Sequence, residues 1–170
     1  DRTNIAPVID GKIESLWNNM ENGKDFICQS PENGKNENPN LKTEWKAVYD
    51  NKAVYFLIIM YDNNPDSILK QLSQRDGLNS ANADKVEFRI NPYNDGQLDY
   101  AFSLSAAGVQ QDVKYSSDGN SDYNWNMVWS SATSITDFGW VAEIKLPYSA
   151  LRFPKKEVQN WSFNLIRNIR

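Results

Sequence analysis

The sequence contains no histidine among its 170 residues. Without an imidazole, the chain builds neither a Ser-His-Asp triad nor a Cys-His pair, and it lacks the commonest ligand of catalytic zinc. Its one cysteine, Cys28, has no partner for an internal disulfide and is interpreted as a small buried or half-buried apolar residue. These absences exclude the usual nucleophilic triads and every histidine-based zinc site.

Strong charge of one sign and long apolar runs are also missing. The 18 basic and 22 acidic side chains give a formal net charge of -4, with no basic stripe and no block of like charge. We therefore expect no nucleic-acid partner. The longest apolar run, residues 53–61, is far too short to span a bilayer.

Aromatic residues are plentiful, with 6 Trp and 8 Tyr, and they suit both a protein core and a surface that faces sugars. Most of the chain after residue 43 alternates apolar and polar residues in short segments separated by turn signals. About eight strands at such spacing predict an all-β sandwich or barrel. The segments are residues 44–49, 53–61, 85–90, 98–105, 109–115, 132–136, 140–146 and 161–165.

The remaining segments predict short helices and exposed loops. We expect an amphipathic helical turn around Trp17, a short helix from Pro65 to about Leu72, and one helical turn at residues 148–151. Residues 32–40 and 116–124 are polar and rich in turn formers, so they are predicted to be exposed loops. The apolar run 53–61 is predicted to be a central strand that is covered on both faces.

The order of several motifs resembles the family 9 carbohydrate-binding modules, and more closely the N-terminal module of large uncharacterised bacterial envelope proteins. Each motif alone is weak, but their order and spacing run through nearly the whole chain. The matching segments are Ile9-Asp10-Gly11-Lys12, Leu16-Trp17, residues 43–50, Val54-Tyr55-Phe56, Tyr61-Asp62, Asp84-Lys85-Val86-Glu87-Phe88, residues 125–129, residues 139–144, Leu146-Pro147-Tyr148, Leu151-Arg152-Phe153 and residues 161–164.

This resemblance implies an antiparallel β-sandwich of the jelly-roll type with one or two short helices. It also implies a poly- or oligosaccharide as ligand and a secreted, periplasmic or outer-membrane-associated location in a bacterium. The chain ends in or just after a strand, so we expect residues 1–170 to be a single domain of a longer envelope protein whose remainder is a partner. Many family members carry structural calcium.

Glu87 matches the glutamate with which the family binds sugar, and alternation places it on the face opposite Val86 and Phe88. Its alternative role is an ion pair with Arg89, Lys85 or Lys145. Two departures from the family pattern weaken the site. Ser103 stands where the family has a sugar-binding arginine, and no aromatic residue stands near Ala81 and Asn82, where a platform tryptophan is expected.

Trp125 and Trp129 are the best local substitutes for that platform, because Trp125 lies among amides beside an exposed loop. The alternative is that Trp129 packs in the core and Trp125 covers one end of a sheet. Four other tryptophans fall in phase with core positions: Trp17, Trp45, Trp140 and Trp161. The predicted carbohydrate-binding set is Glu87, Trp125, Trp129, Arg89 and Ser103.

A calcium site is predicted from Asp62, Asn64, Asp66 and Asp84, since carboxylates and amides are the hard oxygen ligands that this ion prefers. The alternative is a turn in which Asp and Asn bond to their own backbone. No other cofactor is expected.

Three functions follow from these observations. The first is a non-catalytic carbohydrate-binding module, and the second is a structural or protein-interaction domain that has lost the sugar site. The third is a glycosidase, for which Glu87, Asp99 and Glu143 would share one polar face. Lys85, Arg89 and Lys145 share that face by alternation and would keep all three acids ionised, whereas a general acid needs a raised pKa.

Overall fold

The computed structural model describes all 170 residues, Asp1–Arg170, and contains two antiparallel sheets. One sheet has the strand order β1-β2-β8-β7, and the other has the order β6-β5-β4-β3-β9. The strands are β1 Thr43–Tyr49, β2 Ala53–Tyr61, β3 Lys85–Asn91, β4 Leu98–Ser105, β5 Gln110–Ser116, β6 Ser121–Asp122, β7 Ser130–Thr136, β8 Gly139–Pro147 and β9 Ser162–Asn168. The predicted all-β class is confirmed.

Helical structure is limited to four 3₁₀ turns, Ser15–Asn19, Pro39–Leu41, Pro65–Ser67 and Tyr148–Ala150. The helix predicted from Pro65 to Leu72 is wrong beyond Ser67. Lys70 instead forms a β-bridge with Ala83, and this pairing takes the place of helical hydrogen bonds. None of these turns has the length and apolar character that a membrane crossing requires.

The chain divides into two compact units. Unit 1 comprises Asp1–Ile68 and Ser130–Leu146, and unit 2 comprises Leu69–Trp129 and Pro147–Arg170. Each sheet therefore lies in its own unit, apart from the last residue of β8.

Unit 1 is organised around β2, which is hydrogen-bonded to β1 and β8 and is buried along almost its whole length, as predicted for a central strand. Trp17 packs with β2 in an apolar cluster and is fully buried. The members of this cluster are Trp17, Val48, Ala53, Tyr55, Leu57, Ile59 and Val141. The 3₁₀ turn that carries Trp17 thus closes one face of the sheet.

Unit 2 contains a sheet whose two faces differ in chemistry. The strands β3 and β4 form a hairpin, in which Glu87 pairs with Ser103 and Phe88 pairs with Phe102. Since directly opposed residues share a face, the alternation sorts these pairs onto opposite sides. We call the side of Glu87 and Ser103 the polar face, and the side of Phe88 and Phe102 the aromatic face.

The polar face is partly covered by the segment that precedes β3. The backbone N–H of Leu78 donates to Oε1 of Gln111, which is opposite Ser103 on the polar face. Leu78 also packs with Ala81, Ala83 and Val109 in a small apolar cluster. This cover leaves one end of the polar face open, namely the end at which β4 begins and β5 ends.

Candidate functional site

Glu87, Arg89 and Ser103 form one hydrogen-bonded group on the polar face of unit 2. The Nε of Arg89 donates to Oε1 of Glu87 at 2.8 Å, and the hydroxyl of Ser103 donates to Oε2 at 2.9 Å. Glu87 itself is only 9% exposed. The structure therefore brings together three of the five residues that the sequence nominated for binding, and both carboxylate oxygens of Glu87 are engaged within the protein.

Arg89 reaches from this group onto the ring of Tyr115. Its guanidinium carbon lies 4.4 Å from the ring centroid, a distance typical of a cation–π contact. Burial and the negative charge of Glu87 raise the pKa of Tyr115 to about 12, so its phenol stays neutral at physiological pH. The contact with the ring and the hydrogen bond that Nε donates to Glu87 fix the guanidinium plane. The two terminal nitrogens of the guanidinium take no part in that hydrogen bond.

A cavity of about 280 Å³ opens beside Arg89 and Tyr115. Its walls come from the β3–β4 connection and from the loop that follows β5. The lining residues are Arg89, Gly96, Gln97, Leu98, Asp99, Tyr115, Ser116, Ser117, Gly119 and Asn120. Two loops and the three strands β3, β4 and β5 of unit 2 thus line a hollow at the open end of the polar face.

Asp99 contributes a carboxylate to this cavity. It is half-buried, pairs with Tyr115 across β4 and β5, and takes part in none of the salt bridges of the molecule. Gln97 is already tied to the opposite loop, because its Oε1 accepts a 2.8 Å hydrogen bond from the hydroxyl of Ser117. The cavity therefore offers an acceptor at Asp99, donors at Arg89 and an aromatic ring at Tyr115.

Glu87 was expected to face water, and the structure corrects this expectation. Lys85 and Arg89 flank it on the same strand, and Ser103 closes it from β4. The ion pair with Arg89 that was left open as an alternative is present. Glu87 consequently orients the guanidinium of Arg89, and both of its own oxygens are already occupied by Arg89 and Ser103.

The position where the family pattern has a platform aromatic residue holds buried Ala81 and exposed Asn82. The backbone N–H of Asn82 donates to Oε1 of Gln71 at 2.6 Å, which ties the segment to its own chain. No ring replaces the missing one at this position. The aromatic residue that the structure supplies is Tyr115, which the sequence analysis placed in a strand without assigning it a role.

Trp129 is 5% exposed, and its indole N–H donates to Oδ1 of Asp112 at 2.9 Å. Its ring also lies edge-on to Phe102, on the aromatic face. A role as a sugar platform does not fit this burial, and the alternative core role describes the residue better. Trp129 is buried for a physical reason: a buried carboxylate such as Asp112 needs hydrogen-bond donors around it, and the indole N–H is one of them.

Asp112 collects further donors at the same point. Its Oδ2 accepts the backbone N–H of Met127 at 2.7 Å, and its Oδ1 pairs with the guanidinium of Arg75. Arg75 also donates to the carbonyl of Met127 at 2.9 Å. Asp112 therefore joins the segment before β3 to the segment before β7, and it fixes where Trp129 lies.

Trp125 is half-buried and lies on the aromatic face. Its ring centroid is 4.9 Å from that of Tyr100 and 5.9 Å from that of Phe102. Because Phe102 alternates with Ser103, Trp125 and Glu87 lie on opposite faces of one sheet. The expectation that Trp125 and Glu87 share a binding face is therefore wrong.

Two of the residues predicted to hold calcium accept hydrogen bonds from the backbone, Asp62 within its own turn and Asp84 from the far end of the chain. Oδ1 of Asp62 accepts the backbone N–H of Asn64 at 2.7 Å, and Oδ1 of Asp84 accepts that of Arg170 at 3.1 Å. Asp66 is exposed in a 3₁₀ turn. No three acidic or sulfur-bearing side chains of the chain come together as a metal-binding group. The Asp62 contact favours the turn alternative for that residue, and calcium binding stays a prediction.

Glu143, the third acid of the glycosidase alternative, lies in unit 1 and is fully buried. Its Oε2 accepts the backbone N–H groups of Asp10 and Gly11, at 3.0 and 2.8 Å. Burial raises the pKa of Glu143, contrary to the expectation that a neighbouring lysine keeps it ionised in the ordinary range. A carboxyl that is enclosed by backbone in this way serves the fold, since it links the Asp10-Gly11 turn to β8.

A family model described as "carbohydrate family 9 binding domain-like" matches residues 9–168. The chain is 27% identical over 146 residues to endo-1,4-beta-xylanase A of Thermoanaerobacterium saccharolyticum, and 26% identical over 148 residues to exoglucanase XynX of Acetivibrio thermocellus. Each alignment covers 86% of this chain but only 11% and 12%, respectively, of the relative's length.

The fold matches solved structures as well. A family 9 carbohydrate-binding module from Caldicellulosiruptor kristjanssonii is known in complex with glucose and with cellotriose, and both structures superpose with a TM-score of 0.63. Their sequence identity to this chain is 19% and 18%. The matches cover 96% and 97% of this chain and 76% and 75% of the other.

The family model covers nearly the whole chain, and its boundaries enclose both sheets and the cavity of unit 2. The motifs that carried the resemblance in the sequence include the Asp10-Gly11 turn and β8, which Glu143 joins in space. The chain therefore belongs to the carbohydrate family 9 binding domain-like family.

Proposed function

We propose that this domain binds a carbohydrate without catalysis, and that the ligand occupies the cavity lined by Arg89, Asp99 and Tyr115. The observation that supports this proposal is the half-buried carboxylate of Asp99, which faces the cavity outside every salt bridge of the protein. A carboxylate accepts hydrogen bonds from two neighbouring hydroxyl groups, and a guanidinium donates to hydroxyl oxygens. The ring of Tyr115 offers an apolar surface to sugar C–H groups.

The size of the cavity suits a short ligand. Its volume of about 280 Å³ lies just below the range of roughly 300–1,000 Å³ found for small-molecule sites. We therefore propose that the cavity takes the end of an oligosaccharide or a single sugar unit. Because Glu87 balances the charge of Arg89 and Asp99 adds a negative charge, a neutral sugar fits better than an acidic one.

The relatives suggest which polysaccharide is involved. One relative is named as a xylanase and another as an exoglucanase, and a structural neighbour is known in complex with cellotriose. We propose a β-linked glucan or xylan as the ligand, and a larger secreted or envelope protein of a bacterium as the parent. In such a protein the domain would hold the parent protein close to its polysaccharide. Any catalysis would belong to other domains of the parent.

Calorimetric titration with cellotriose and xylotriose tests the site. We expect Asp99→Ala and Arg89→Ala each to lower affinity at least about tenfold, which corresponds to about 1.4 kcal/mol. Asp137→Ala is the matched control, because Asp137 is an exposed acid that does not line the cavity. The control variant should bind as the wild type does.

The alternative function, a protein-interaction or structural domain, predicts a different result. The intramolecular bonds that engage both oxygens of Glu87 favour it to some degree, since they remove one sugar-binding carboxylate. If the wild type binds neither trisaccharide nor any member of a glycan array, the carbohydrate proposal falls and the alternative stands. Titration with Ca²⁺ followed by EDTA, read as a change in Tm, checks the calcium prediction in the same preparation.

A further inference from the structure

One end of the unit 1 sheet carries a pair of aromatic rings that take no part in the cavity. At this end β1 begins at Thr43, β2 ends at Tyr61 and β8 begins at Gly139. The half-buried ring of Tyr61 meets the ring of Phe138, which is 38% exposed in the turn between β7 and β8. Their centroids are 5.8 Å apart, and their planes are tilted by 44°. The two rings therefore form one apolar surface that is partly open to solvent.

The backbone fixes the position of Phe138. The N–H of Asp62 donates to the carbonyl oxygen of Phe138 at 2.9 Å, which ties the turn to the end of β2. The next residue, Gly139, has a φ of +139°, and a Cβ there would lie 2.1 Å from the backbone oxygen of Met60. Only glycine allows so close an approach. Because the main chain places the Phe138 ring beside Tyr61, a shorter side chain at position 138 should leave the turn in place.

Polar side chains border the Tyr61 ring. The backbone N–H of Tyr61 donates to the carbonyl oxygen of Lys42 at 2.8 Å, and Nζ of Lys42 is 5.9 Å from the Tyr61 ring centroid. Lys42 also forms an ion pair with Oε1 of Glu44. The other carboxylate oxygen, Oε2, accepts from Nδ2 of Asn22 at 3.2 Å and lies 3.5 Å from the phenol oxygen of Tyr61. An ammonium, a carboxylate, an amide and a phenol thus form one contact network beside the two rings.

Solvent reaches this network. Asn22 is exposed, and the Lys42 side chain is 42% exposed. Two backbone hydrogen bonds between Gly23 and Trp45, 2.8 and 2.9 Å long, hold the Asn22 segment against β1. Asn22 uses its Nδ2 in the bond to Glu44, and its Oδ1 can accept a hydrogen bond from a ligand. The polar groups are therefore both positioned by the fold and accessible.

We propose that the two rings and the polar groups beside them form a second carbohydrate-binding site, made of Tyr61, Phe138, Lys42, Glu44 and Asn22. The rings offer an apolar surface to the C–H face of a sugar, and the polar groups match hydroxyl groups at its edge. Lys42 and Glu44 balance each other in charge, which suits a neutral sugar. A protein partner fits less well, because a stable protein interface uses about 20–30 residues a side and far fewer side chains make up this group.

The choice of sugar as the ligand class rests on the proposed function of the domain. The second site itself is independent of the cavity, because the two sites share no residue and lie in different units. A substitution can therefore disable one site and leave the other intact.

Nuclear magnetic resonance of the glycine amides tests the proposal. The chain has only 8 glycines, and each site has one of them as a reporter. Gly139 follows Phe138, Gly119 lines the cavity, and Gly34 in an exposed loop serves as the reference. Cellotriose and xylotriose are titrated to about 10 mM, which fills about nine-tenths of a site with a Kd of about 1 mM. The Gly139 signal should move in the wild type and in Asp99→Ala, while that of Gly34 stays in place.

Substitution of Phe138 tests the role of its ring. Phe138→Ala in the Asp99→Ala background should raise the Kd read from the Gly139 signal at least about fivefold. Ile135→Ala is the matched control, because Ile135 is also 38% exposed and lies on β7 just before the same turn, but carries no ring. The control should leave the Kd unchanged. Circular dichroism shows whether each variant is folded, and Phe138→Leu, which keeps an apolar side chain without a ring, replaces Phe138→Ala if the latter is unfolded.

The outcomes distinguish the two sites. Movement of the Gly139 signal in Asp99→Ala that depends on the Phe138 ring supports the second site, even where Gly119 stays still and the cavity proposal fails. If Gly119 moves in the wild type and Gly139 does not, the second site alone is overturned, and if neither moves, both carbohydrate proposals fall. Movement of Gly139 that disappears in Asp99→Ala, or that is unchanged by loss of the Phe138 ring, also overturns the second site.

Discussion

The Nε of Arg89 donates a 2.8 Å hydrogen bond to a Glu87 carboxylate that is 9% exposed, and the two side chains form an ion pair on the polar face. The bond occupies Oε1 of Glu87 and holds the Arg89 guanidinium at the rim of the cavity.

Glu87→Gln should weaken carbohydrate binding by about tenfold without unfolding the domain, because an amide holds a guanidinium less firmly than a carboxylate does. Affinity is measured by calorimetric titration with cellotriose, and stability by urea unfolding. Ser103→Ala is the control, since it removes a bond to Glu87 but leaves the bond to Arg89. Unchanged affinity in Glu87→Gln would show that Arg89 needs no orienting partner.

Asp112→Ala should lower the free energy of unfolding by about 3 kcal/mol or more. The change removes the acceptor for the backbone N–H of Met127, the indole of Trp129 and the guanidinium of Arg75, and buried donors without partners are costly. Urea unfolding followed by tryptophan fluorescence measures the loss. Asp122→Ala, an exposed acid on β6, should cost less than about 1 kcal/mol.

Gly139→Ala should destabilise the domain by at least about 3 kcal/mol. Gly139 has a φ of +139°, and a Cβ at this position would lie 2.1 Å from the backbone oxygen of Met60. Gly34 also has a positive φ, +86°, but its Cβ would meet nothing within 4 Å. Gly34→Ala should therefore cost only about 1–2 kcal/mol, and urea unfolding of the two variants should show a clearly larger loss of unfolding free energy for Gly139→Ala.

Glu143 should make stability depend on pH. Burial raises the pKa of this carboxyl in the folded state above its usual value of 4.5, so the folded state binds its proton more tightly than the unfolded state does. The contribution is fully present below pH 4.5 and is lost as pH rises through the folded-state pKa. Glu143→Gln keeps an oxygen for the N–H groups of Asp10 and Gly11 but does not titrate.

The test compares urea midpoints of the wild type and Glu143→Gln from pH 4 upward. We expect the wild type to lose stability relative to the variant as pH rises. A constant difference between the two proteins across this range would contradict the raised pKa.

Much of the fold was predictable from local patterns. Alternation of apolar and polar residues located β3, β4 and β8 to within a few residues, and the apolar run 53–61 identified the central strand of unit 1. The helix expected after Pro65 failed because a proline and an adjacent acid are also the start of a 3₁₀ turn, and the pairing of Lys70 with Ala83 is invisible in the local sequence.

The candidate site was predictable only in part. The resemblance pointed to Glu87, and alternation put Arg89 beside it on the same face. Asp99 and Tyr115 were assigned to strands, but no local signal shows that they face each other across β4 and β5. Trp125 was selected because its neighbours are polar. Polar neighbours indicate that a loop is exposed, but they do not indicate which side of a sheet the loop covers.

The sequence by itself determined which residues of each strand share a face, because the backbone repeats every two residues. It also determined that no histidine chemistry operates here. Only the tertiary structure decided that Asp99 meets Tyr115 beside Arg89, and that Trp125 lies against Tyr100 on the other face. Strand register and the path of a loop depend on contacts between distant segments, and a local pattern carries no record of those contacts.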